Sequence, residues 1–140
     1  NLGSHTLKSY STTQTVIAQS SGEAEYYGLV KACSVGIGIR GMFADFGIVL
    51  GLTLLTDASA AKGIAMRIGL GKVRHLETSQ LWLQSKVADG SVKVVKVDGK
   101  VNIADAMTKY LSGPDMTIHL SRLPVERCNR THPRSLTTTS

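Results

Sequence analysis

A chain of 140 residues with 42% apolar content and a formal net charge of +6 holds enough hydrophobic material for one domain with its own core. No apolar run approaches the length of a membrane span, and the amino terminus lacks the basic, apolar and small-residue order of a signal peptide, so a soluble intracellular protein with no membrane partner is expected. The cysteines, Cys33 and Cys128, have neither metal-ligand spacing nor a disulfide pattern, while the positive balance favours polyanions, because neutralising phosphates releases counterions.

From Leu7 to Ala18 the chain is rich in Thr, Ser, Tyr, Val and Ile, with Thr15 and Ile17 on one face and Val16 and Ala18 on the other, which predicts a strand. Ser20 and Glu23 form an S-x-x-E capping box that starts a helix. Tyr26, Val30, Cys33 and Ile37 step at helical intervals, and Ile39, Met42, Phe43 and Phe46 carry the apolar line onward. Gly28, Gly36, Gly38 and Gly41 oppose the helix by about 1 kcal/mol each relative to alanine, which predicts a kink or break near Gly36. Gly47 is the expected stop.

Ile48 to Thr56 is an apolar run suited to a buried strand, and Asp57 stands at its exit. Ala58 to Met66 reads as a short helix. Leu76, Gln80, Leu83 and Val87 form one stripe of another, with Trp82 as a packing residue rather than a base-stacking platform. Asp89-Gly90 then introduces a strand from Val92 to Val97, and a last helix spans about Asn102 to Leu111. This alternation of strands and helices predicts an α/β domain over residues 1–111, with residues 112–140 a basic, disordered tail.

Two phosphate-binding patterns fail on context. Gly36-Ile37-Gly38-Ile39-Arg40-Gly41 satisfies G-x-G-x-x-G, but a helical segment stands where a dinucleotide site needs a strand. Gly71-Lys72 lacks the upstream glycine and the following hydroxyl residue of a P-loop.

Three carboxylates stand out by position. Glu23, third in its helix, is placed to cap, whereas Glu25 points about 200° away from it, towards another task or towards solvent. Asp57 sits where α/β folds place their sites, which is also where an aspartate serves as a helix N-cap. Asp105 can likewise be the fourth residue of an N-x-x-D cap begun by Asn102.

Taken together, TQTVIAQSSGEAEYYGLVKA, TDASAAKGIA, GKVRHLETSQLWLQSKV and NIADAMTKYL resemble, in order and spacing, the ribonuclease H domain that closes the Pol polyprotein of copia-type LTR retrotransposons. The likeness runs from about Leu7 to Leu111 and is most specific at the serine pair followed by Glu-Ala-Glu-Tyr, with Ala-Asp-x-x-Thr-Lys in support. It implies a ribonuclease H-like fold, a mixed sheet with flanking helices, and hydrolysis of the RNA strand of RNA:DNA hybrids with two Mg²⁺ ions, or Mn²⁺ in their place, during reverse transcription.

Residue by residue, the resemblance makes Glu25, Asp57 and Asp105 metal ligands and catalytic residues. Ser59 would line the substrate groove, Lys72, Arg74 and Lys100 would contact phosphates, and His75 would orient their loop, although the basic loop also reads as an ordinary solvated turn. The family's first aspartate belongs to a strand upstream of Asn1. The first strand and most of the second are therefore expected to be missing, leaving this fragment inactive by itself or a nucleic-acid-binding remnant of the domain.

Many ribonucleases H carry a histidine before the last aspartate; Val97-Asp98-Gly99-Lys100 has none, so histidine-assisted product release is not expected. The implied partners are an RNA:DNA hybrid and the upstream reverse transcriptase segment, and the implied setting is a cytoplasmic virus-like particle or the nucleus.

Overall fold

The computed structural model describes residues 1–3, 5–14, 16–71, 76, 80–104, 110 and 112–121. Its longest element is α1, Ser21–Asp45, a helix of 25 residues. The predicted cap forms at its start: Ser20 Oγ accepts from Glu23 N–H at 3.2 Å, and Glu23 Oε2 accepts from Gln19 N–H at 2.8 Å. The return bond thus reaches one residue further back than in the standard box.

The helix ends as its glycine predicts. Gly47 takes φ +76° and donates to the Ala44 carbonyl at 2.8 Å, while Ile48 N–H donates to Phe43 O at 2.9 Å. These paired bonds are a Schellman closure.

No break occurs near Gly36. The helix runs through it, because the missing side chain lets α1 lie directly on the neighbouring strand; a Cβ there would stand 2.6 Å from Leu52 Cδ1. Tyr26, Val30 and Cys33 are buried as expected, and burial raises the pKa of the Cys33 thiol. The apolar line then leaves the core: Met42 is 63% exposed and Phe46 79%.

β1, Leu52–Thr56, and β2, Val92–Lys96, form a two-stranded parallel sheet, with Leu52 opposite Val92 and Thr56 opposite Lys96. Parallel neighbours need a crossover, which here carries α2, Ser59–Met66, and α3, Trp82–Ala88. Residues Ile48 to Gly51 of the strand predicted over Ile48 to Thr56 stay outside it; Val49 is 95% exposed.

The core joins one face of the sheet to α1, α2 and α3 through Tyr26, Cys33, Leu54, Ile64, Leu83 and Val92. A buried amide closes its floor. Gln84 Nε2 donates to the carbonyls of Ile64 and Gly69 at 2.9 and 3.0 Å, and its Oε1 accepts from Gly69 N–H at 2.9 Å. One side chain thereby pairs backbone groups at the end of α2 and in the following loop.

Two further expectations change. The strand predicted over Leu7 to Ala18 is not formed among the described residues; the segment has strand-forming side chains but no ladder partner, apart from a Leu2–His5 bridge that turns the chain back on itself. The helix expected from about Asn102 to Leu111 lies mostly outside the described residues; at its opening Asn102 Oδ1 accepts from Ala104 N–H at 3.3 Å, as an N-cap does.

The second change is in the segment assigned to a disordered tail, which begins with a helix, α4, Gly113–Ser121. Ser112 Oγ accepts from Asp115 N–H at 3.4 Å and donates to Asp115 Oδ2 at 2.6 Å, while Pro114 fits the first turn because its absent N–H needs no partner. Residues 122–140, Cys128 among them, lie outside the described residues.

Candidate functional site

Asp57 follows β1 at the carboxyl end of both strands, where the register brings Thr56 beside Lys96. The N-cap of α2 is Ala58, which makes no side-chain cap bond, so Asp57 stands one residue before the position at which it would cap. Thr56 orders this corner instead, its Oγ1 accepting from Ala58 N–H at 3.1 Å. Asp57 lines a depression together with Lys96, Val97, Asp98 and Gly99.

The far wall of the depression is a short 3-10 turn, Gly99–Val101. Asp98 caps it by accepting from Lys100 N–H at 2.9 Å, which engages one oxygen of that carboxylate locally. The Lys100 side chain is exposed on the turn, where a solvent-facing cation can meet a polyanion.

Lys96 is the residue that sequence reading passed over. Within Val-Lys-Val-Val-Lys it reads as one more polar strand residue; only the pairing with Thr56 carries it to the exit beside Asp57.

Glu25 belongs to a different opening. It is exposed on the first turns of α1 and lines a groove of about 960 Å³ between the amino-terminal arm, α1 and β1. The division of labour with Glu23 follows the capping argument: Glu23 is 2% exposed and bonded to Gln19, and Glu25 faces outward. Trp82 begins α3, half-buried, packs against the core and shows part of its surface to the same groove.

Beside Glu25, Tyr26 is wholly buried and donates its hydroxyl to the Gln80 carbonyl at 2.7 Å. Burial pushes its phenol pKa up to about 12, against a smaller opposing pull from the charge of Arg67. It is a structural anchor that ties α1 to the entry of α3.

Ser59 is the first residue of α2, exposed and one place after the cap, where it neither caps nor faces the depression of Asp57. Lys72, Arg74, His75 and Asp105 lie outside the described residues.

Among the described residues, no three of His, Cys, Asp and Glu converge as a metal shell. Glu25 lines the groove, whose lining reaches Thr56 and Asn102 to Ala104, and Asp57, the residue after Thr56, lines the smaller depression. With Asp105 outside the described residues, Glu25 and Asp57 are two of the three expected ligands. Among the described residues, too, no helix is long and apolar enough to cross a membrane. Compared with protein-family models, curated proteins and solved structures, the chain finds no match.

Proposed function

We propose that this chain is a ribonuclease H-like domain of a copia-type retroelement polyprotein, acting on the RNA strand of RNA:DNA hybrids. The observation that carries the reading is the placement of Asp57: at the exit of a parallel strand, beside Lys96, and not at the helix cap that would otherwise explain it. A carboxylate at the carboxyl end of β1, next to cations in a chain of net charge +6, suits phosphodiester chemistry on a polyanion. Glu25, Asp57 and Asp105 are the proposed carboxylates, and Mg²⁺ the proposed ion.

A second reading, hybrid binding without cleavage, draws on the net charge of +6 and on Lys93 and Lys96, both exposed on β2. The sheet supports a partner for either reading. Its outward face presents Leu55 and Val95 side by side, 58% and 43% exposed, and parallel strands are ordinarily covered on both faces. Further strands from the upstream reverse transcriptase part of the same polyprotein would cover that face, in a virus-like particle or nucleus.

The test is Mg²⁺-dependent cleavage of a labelled RNA:DNA hybrid by this chain and by the chain extended upstream, each beside its Asp57→Asn variant. Cleavage that vanishes with Asp57→Asn is expected of the nuclease. Hybrid binding at low salt, lost as salt rises and indifferent to Asp57→Asn, with no cleavage in any form, assigns the binding reading. Failure to bind or cut the hybrid in both lengths removes both readings.

A further inference from the structure

The β1–β2 ladder continues past its last register pair, since Val97 N–H donates to the Thr56 carbonyl at 2.9 Å. That bond lays the next turn across the exit of β1. Asp98 holds the turn by accepting from Lys100 N–H, and Gly99 then arrives with its bare Cα against Asp57. A methyl group built on Gly99 would stand 3.2 Å from Asp57 Oδ2 and 3.8 Å from Asp57 Cβ.

Conformation does not demand glycine at this position, for Gly99 is not among the glycines with positive φ. What the absent side chain supplies is room for a carboxylate. At 3.2 Å the neighbour must yield by a few tenths of an ångström, and here the neighbour is the charged end of the side chain at the centre of the depression.

We propose that Gly99 is a positioning residue for Asp57: the turn 98–101, pinned to β1 through Val97, is the wall that fixes where the carboxylate oxygens point. Any side chain at position 99 displaces them. The functional consequence rests on the hybrid-nuclease reading; the structural claim does not. Displacements of this size matter at a reacting centre, where geometry is held to fractions of an ångström.

The experiment compares the full chain with Gly99→Ala by NMR of the side-chain carboxyl carbons, without added metal. The Asp57 resonance is expected to move, while those of Asp45, Asp89 and Asp115, which lie outside the turn, hold still. An unmoved Asp57 resonance overturns the proposal. A double-mutant cycle gives a second reading. The drop in denaturation midpoint caused by Gly99→Ala is expected with Asp57 present and absent in an Asp57→Ala background; an equal drop in both backgrounds overturns the proposal.

Mg²⁺ is then titrated into the wild type and Gly99→Ala. The Asp57 resonance of the wild type should respond at a several-fold lower concentration, and equal midpoints overturn the proposed role at the site. If Asp57 responds to Mg²⁺ in neither protein, the nuclease reading falls, and the metal-free spectra decide the positioning claim alone.

Discussion

The two faces of the β1–β2 ladder are built from the same two strands and meet opposite fates. Inward, Leu54, Thr56, Val92 and Val94 are buried under the helices. Outward, Thr53, Leu55, Lys93 and Val95 are all exposed, with Leu55 in register with Val95. The difference teaches where the local chain suffices. The crossover helices must pack on one face of a parallel pair, and α1, which enters β1 directly, joins α2 and α3 there, so one contiguous stretch from α1 to β2 supplies that cover, whereas Leu55 and Val95 on the other face stay exposed.

The largest expected effect sets the faces directly against each other. Leu54→Ala removes a buried side chain and leaves a void beneath α1 and α2, at a cost of about 2–5 kcal/mol. Leu55→Ala, one residue along and facing outward, should cost less than about 1 kcal/mol in the same denaturant titration. Equal losses at the two positions would mean that the outward face is covered in solution.

Next in size is the phenol under the inward core. The raised pKa of Tyr26 means that the unfolded chain ionises first, near the ordinary value of 10.0, while the folded chain keeps its proton to about 12. Its contribution is therefore fully present below pH 10 and is lost as pH rises towards 12, by about 2–3 kcal/mol in all. Tyr26→Phe should abolish that part of the alkaline slope. At neutral pH the same variant should cost about 1–2 kcal/mol, because the Gln80 carbonyl loses its partner. A wild type and a Tyr26→Phe variant with parallel stability curves from pH 9 to pH 12 would contradict the assignment.

The elements most legible in the sequence are those whose signals are local. The Ser20–Glu23 box and Gly47 bound α1 nearly to the residue, and the Asp89-Gly90 turn locates β2, because caps and turns are set by neighbouring residues. Gly36 misled because its helix cost was visible and its contact with Leu52 was not. Leu7 to Ala18 misled for the converse reason, since strand-forming side chains do not furnish a ladder partner. The cap of α4, Ser112 to Asp115, was as readable as that of α1 and was hidden by the prolines and arginines around it.

Of the site, Asp57 at a strand exit was legible, because an apolar run followed by an acid and a helix announces that geometry. Lys96 was not, since its place depends on which residue of β1 it pairs with, and register is a property of two strands together.

The smallest expected effect bears on the outward face. Leu55→Thr places a β-branched, strand-compatible residue at the position while removing the larger half of the Leu55–Val95 pair, so it changes the surface without creating a cavity. Stability should move by no more than about 0.5 kcal/mol, while binding of a hydrophobic dye and concentration-dependent association should both fall. If the proposed upstream segment covers this face, the same substitution in a chain extended through it should cost more than in the chain by itself. An effect of equal size in both lengths would place the covering elsewhere, and would leave Leu55 and Val95 as an apolar pair that the fold tolerates in water.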